Sequence, residues 1–132
     1  MALIYPRPLG PRLRALGVSI LSAARSMPRD AAGRHIAEQI VRSGTSPAAN
    51  YSEARGAVSD RDYLFRLQTC LKELRETETW LAMSRGVGFR NADYAAIEKE
   101  CGELTAIVVT CVSKVKARLA RSDEHSGPAE HK

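Results

Sequence analysis

The chain has 132 residues, 44% of them apolar, with a formal net charge of +5 and a pI near 9.4. That is one domain's worth of sequence, and with only seven Phe, Tyr and Trp side chains its core must be mostly aliphatic, as in helix bundles. No apolar run approaches the ~18 residues of a membrane span, and Pro, Arg and Gly interrupt the first eleven residues where a signal peptide needs an unbroken apolar stretch. Cys70, Cys101 and Cys111 have no C-x-x-C spacing and fall among aliphatic residues, which reads as small buried hydrophobes in a reducing cytoplasm.

Residues 1–10, MALIYPRPLG, carry two prolines and a glycine and read as an extended arm. Pro11 suits the first position of a helix, and Leu13, Leu16, Ile20, Ala24 and Met27 give that helix one apolar face. Pro28 ends it, and Asp30 is the expected N-cap of a second helix over 31–56. Gly44 and Pro47 disfavour that helix's interior, yet the apolar spacing stays in phase on both sides. A kinked continuous helix is therefore predicted, with Gly44, Ala48 and Ala49 allowing a neighbour close approach.

Ser59 and Asp62 approximate a capping box opening the third helix. Its stripe is Leu64, Leu67, Leu71, Leu74 and Leu81, widened by Phe65, Cys70 and Trp80 and interrupted at Glu78; Gly86 and Gly88 end it. A fourth helix is expected from the cap Asn91 to about Arg121. Its heptad series is Tyr94, Ile97, Cys101, Leu104, Val108, Cys111 and Val115. The polar tail 122–132 reads as disordered. The domain division is thus an arm over 1–10, a bundle over 11–121 and a tail.

The fold class is all-α, an antiparallel up-down-up-down four-helix bundle. Val41, Phe65, Trp80, Ile107 and Val109 lie off the main stripes and would be partly exposed on a single copy, so self-association is expected.

The segment QIVRSGTSPAANYSEARGAVSDRDYLFRLQTCLKELRETETWL (39–81) resembles the 23S rRNA-intervening-sequence proteins. The resemblance rests on Gln39, Arg42–Ser43 and Asn50-Tyr51-Ser52-Glu53-Ala54, then on Leu71, Lys72, Glu73, Glu76, Thr77, Trp80 and Leu81. Pro47 is a departure, since many relatives place Ile-Gly before the Ala-Asn. The resemblance implies a left-handed four-helix bundle assembled as a ring-like homopentamer. Related bundle proteins assist the reverse transcriptases of diversity-generating retroelements, where basic surfaces contact nucleic acid. The intervening-sequence members themselves have no agreed molecular function.

Charge is uneven. Residues 1–29 hold five arginines and no acid, and the stretch 114–121 holds four cations and no acid. In an up-down-up-down bundle, Arg12, Arg14, Arg55, Arg61, Lys114, Lys116, Arg118 and Arg121 would gather at one pole, forming a candidate RNA- or DNA-binding rim. The bland alternative is a solvated basic end complementing a helix dipole, partly offset by Asp60 and Asp62. No aromatic residues interleave with these cations, which argues against sequence-specific single-strand stacking.

Glu73, Glu76 and Glu78 with Lys72 and Arg75 read as an inter-helix or inter-subunit ion-pair network, since the Glu-x-x-His motifs of a di-metal bundle are lacking. Asn50 and Glu53 are expected to bond across a helix interface. Gly86-Val87-Gly88 lacks the Gly-Lys-Ser/Thr of a phosphate loop, and His125 and His131 fall in the tail. No nucleophile–base set can be assembled, and no metal or cofactor is called for. Two readings remain: a non-enzymatic homo-oligomeric scaffold binding nucleic acid, or a nucleic-acid-bound protein, through its basic end, and a structural or protein-binding module without nucleic acid.

Overall fold

A computed structural model describes residues 8–89 and 93–125. Four helices follow in order: α1 (Leu9–Ala24), α2 (Ala31–Arg55), α3 (Asp60–Gly86) and α4 (Tyr94–His125), with no strand among the described residues. The described residues form an all-α fold. Each helix packs on the next and α4 returns to α1, closing a four-helix bundle.

Helix α1 opens two residues earlier than expected, with Pro8 as the flanking residue and Pro11 inside the first turn. A proline is tolerated there because the first four N–H groups of a helix have no intrahelical acceptor. Its buried face is Leu13, Leu16, Ile20, Ala23 and, beyond the helix end, Met27; Ala23 replaces the expected Ala24, which is only half-buried.

Helix α2 is continuous across Pro47, whose ring is buried. Asp30 caps it as expected, accepting from the Gly33 N–H at 2.8 Å. Gly44 meets Ile20 of α1, and the Gly44 carbonyl lies within ordinary contact of the position a Cβ on Gly17 would take. Two glycines on facing helices thus set a close α1–α2 approach. Ala49, by contrast, is exposed.

Helix α3 is capped by Ser59, which accepts from the Asp62 N–H at 3.1 Å, while the Asp62 carboxylate reaches the Val58 N–H at 3.3 Å. Its fully buried stripe is Leu67, Cys70, Leu74, Thr77, Leu81 and Ser84, an unbroken 3-4 alternation. Leu64 and Leu71 are only half-buried, and Phe65 is 59% exposed. Thr77 and Ser84 fit the core because their hydroxyls are satisfied. Thr77 Oγ1 donates to the Glu73 carbonyl at 2.8 Å and hydrogen-bonds with Ser43 of α2 at 3.0 Å; Ser84 Oγ bonds with the Phe89 carbonyl at 2.7 Å and the Tyr94 hydroxyl at 2.8 Å.

Gly88, with φ +83°, ends α3. Its N–H bonds to the Arg85 carbonyl at 3.1 Å and the Phe89 N–H to the Ser84 carbonyl at 2.9 Å, the paired bonds of a Schellman turn. The expected cap Asn91 lies outside the described residues. Helix α4 extends four residues past the expected end, through Ser122–His125, where Asp123 pairs with Arg61 of α3 at 3.1 Å. Its core stripe is Tyr94, Ile97, Cys101, Leu104, Val108, Val112 and Val115; Val112 takes the place expected of Cys111, which is only half-buried.

Candidate functional site

The residues that carry the family resemblance lie along the α2–α3 seam. Arg42 of α2 donates to Glu73 at 3.2 Å and also to Glu76; Glu76 in turn accepts from the Trp80 indole N–H at 3.0 Å. The Trp80 ring stands edge-on to His35 of α2, with centroids 5.4 Å apart. One turn apart on α3, Glu73, Glu76, Thr77 and Trp80 therefore all engage α2. The expected inter-helix ion pairs form here, with Arg42 as the cation, and Glu78 accepts instead from Thr105 of α4 at 2.5 Å. Glu53 also crosses the seam, to Arg66 at 2.6 Å. Asn50 does not: it donates to Ser46, one turn back in its own helix. The motif is a seam that locks two helices in register.

At one end of the bundle, the start of α1, the α2–α3 turn and Arg118 of α4 meet around an open pocket of about 620 Å³. The first turn of α3 and the last turns of α4 are tied there by a two-point pair, Arg118 to Asp60 with both N–O distances 3.0 Å, and by Arg61 to Asp123. Arg14, Arg55, Lys114 and Lys116 are exposed, and no carboxylate among the described residues pairs with them. Arg121 is exposed on the last turns of α4.

Of the eight cations expected at this pole, Arg12 does not belong to it. Its side chain is 7% exposed and turned onto α4, where it bonds both Glu100 oxygens, at 3.0 and 2.6 Å, and Glu103 at 3.2 Å. Position 12 is on the buried face of α1 beside Leu13 and Leu16, and Glu100 and Glu103, three residues apart on α4, receive it. The Glu100 hydrogen bonds raise the Arg12 pKa further, so this cation is permanent.

Contrary to the expectation from sequence, aromatic rings stand beside these cations in the fold. Tyr51 of α2 and Tyr63 of α3 line the pocket together with Arg55 and Arg118. Both phenols are half-buried and pushed up, chiefly by burial, with Arg55 pulling each partly back. Tyr51 lies one helical turn before Arg55, a spacing legible in the sequence; Tyr63 joins it only because the chain reverses at 56–59.

Elsewhere, the buried Cys70 and Cys101 thiols are pushed up to about 12, first by loss of hydration, and Cys111 is raised for the same reason. No group of three or more His, Cys, Asp or Glu residues among the described residues is placed to hold a metal ion. No helix among the described residues is long and apolar enough to cross a membrane.

The family model described as 23S rRNA-intervening sequence protein matches residues 12–110. The 1.70 Å crystal structure of a protein with unknown function from the S23 ribosomal protein family of Bacteroides thetaiotaomicron VPI-5482 is similar, with a TM-score of 0.74 and 26% identity. The likeness covers 80% of this chain and 98% of that one. No curated protein matches. With the residues of the resemblance stitching α2 to α3 and the family model running from α1 into the first half of α4, the chain belongs to the 23S rRNA-intervening sequence protein family.

Proposed function

We propose that this chain is a non-enzymatic cytoplasmic scaffold, an antiparallel, left-handed up-down-up-down bundle that self-associates as a homopentamer and holds nucleic acid at its basic end. The observation that carries the reading is the set of exposed cations without carboxylate partners among the described residues, Arg14, Arg55, Lys114 and Lys116, around or within a few turns of one pole. Unneutralised cations supply the electrostatic part of phosphate binding, which carries little sequence information. Several copies in a ring would repeat that charge around a rim. The family's description, and that of its Bacteroides relative, make RNA the first nucleic acid to test.

Self-association is supported by the apolar surface left on one copy. Val18, 65% exposed, and Leu21 lie one turn apart on α1 beside an open groove of about 470 Å³ between α1 and α4. Phe65 and Val109 add exposed area on α3 and α4.

A second reading, a protein-binding module without nucleic acid, is favoured by the Arg118–Asp60 and Arg61–Asp123 pairs, which neutralise part of the pole. Charge reversal separates the two. Retention of RNA or DNA at ~50 mM salt should weaken steeply as salt rises, and Lys114→Glu with Lys116→Glu should weaken it further with the oligomer intact. Absence of any retention at low salt would leave the second reading in possession.

A further inference from the structure

We propose that the pocket at the basic end seats one unstacked base of a single-stranded nucleic acid against Tyr51 and Tyr63, with the adjoining phosphate on Arg55. The inference rests on the nucleic-acid reading above and gives it a form: an unpaired strand instead of a duplex.

Four features of the pocket point there. Its volume, about 620 Å³, falls within the ~300–1,000 Å³ of small-ligand sites and leaves room for a nucleoside. Two half-buried phenol rings line it from opposite sides of the α2–α3 turn, and the Tyr51 ring lies close to Gly10 of α1, where an added Cβ would stand 3.6 Å from it. Half-buried rings have less freedom to lose on stacking than fully exposed ones. Leu9 and Ala54 supply apolar lining suited to a base and useless to a bare phosphate.

The two arginines divide the remaining work. Arg118 is held by both oxygens of Asp60, so its guanidinium is a fixed plane and its charge is already answered. Such a plane stacks on a base and contributes little to an anion. Arg55 is exposed, has no carboxylate partner among the described residues and lies one turn from Tyr51, which makes it the phosphate contact. A duplex covers its base faces by stacking and offers this pocket nothing but backbone.

Binding of labelled single strands, as RNA and as DNA, and of the corresponding duplexes to the full-length protein tests the inference. Tyr51→Leu and Tyr63→Leu remove the π-face while keeping an apolar side chain, and Tyr51→Phe and Tyr63→Phe keep it. Each Leu variant should bind single strands about tenfold more weakly, with the Phe variants within about twofold of the parent and duplex affinity unmoved. A bromouridine-substituted strand should photo-crosslink to Tyr51 or Tyr63. Equal loss in the RNA and DNA arms assigns the pocket to base and phosphate; loss in RNA alone adds the ribose hydroxyl.

Leu variants that keep their helical circular dichroism and bind single strands like the parent would overturn the pocket and leave the basic end standing. Should a Leu variant unfold, the crosslink decides, and a crosslink mapping only to other residues overturns the pocket. Failure of the parent to bind any strand at low salt sinks both proposals together.

Discussion

Gly44 of α2 receives the side chain of Ile20 of α1: a Cβ on Gly44 would lie 2.8 Å from both Ile20 Cγ1 and Cγ2. Ile20 is fully buried and its branched carbons have no free direction to move. Gly44→Ala should therefore destabilise the protein by about 1–3 kcal/mol, the usual range for overpacking, in spite of alanine's better helix propensity. Gly102, in α4, has nothing within 4 Å of an added Cβ. Gly102→Ala should gain up to about 1 kcal/mol. Chemical denaturation of the two variants checks the sign in each case.

The Arg12 pair makes a second prediction. Arg12 is nearly sealed from solvent while Glu100 keeps partial exposure, so removing the arginine takes two charge-assisted hydrogen bonds from a carboxylate that water still reaches in part. Arg12→Met should lose about 1–3 kcal/mol, below the ~3–5 kcal/mol of a fully buried broken pair. Combining it with Glu100→Gln should lose less than the two single changes added together, by the coupling of the pair. A double-mutant cycle by urea denaturation measures both numbers.

Alkaline pH should destabilise the fold. Burial raises Cys70 and Cys101 from an ordinary 9.0 to about 12, so above pH 9 the unfolded chain gives up thiol protons that the folded chain keeps. Stability from this source is full below the unfolded value and is lost as pH rises toward 12, at up to about 1.4 kcal/mol per pH unit for each thiol. Tyr51, Tyr63 and Tyr94 are raised too and act in the same direction. Thermal melts from pH 8 to 11 should fall, and Cys70→Ala with Cys101→Ala should flatten the slope. Under native conditions the half-buried Cys111 should react with a thiol reagent before the other two.

Helix number, the caps Asp30 and Ser59 and the continuity of α2 through Pro47 are legible in the sequence because each is local chemistry. The errors have physical causes. A strict seven-residue repeat drifts by about 20° per heptad against a straight α-helix, so by the third repeat of α4 the core position has moved from Cys111 to Val112. On α3, Glu78 interrupts the apolar series because two of the core positions there, Thr77 and Ser84, are filled by polar residues. Their hydroxyls are satisfied by Ser43, the Glu73 carbonyl, the Phe89 carbonyl and Tyr94, partners that only the fold brings near.

The candidate site was half legible. Cation-rich segments are visible in a sequence, but whether a cation is spent internally is not. Arg12 is taken by Glu100, which is 88 positions away, and Arg118 by Asp60, 58 positions away. Tyr63 reaches the Arg55 pocket only through the turn between α2 and α3.

Light scattering coupled to size exclusion tests the scaffold reading most directly, because a covered α1 face and a repeated basic rim both need more than one copy. The parent protein should have a mass several times the 14.4 kDa of one chain, five times for the pentamer. Val18→Glu with Leu21→Glu, which charges the exposed α1 face, should return it toward a single copy. A parent protein that runs at 14.4 kDa across the concentrations used for nucleic-acid binding would contradict the account.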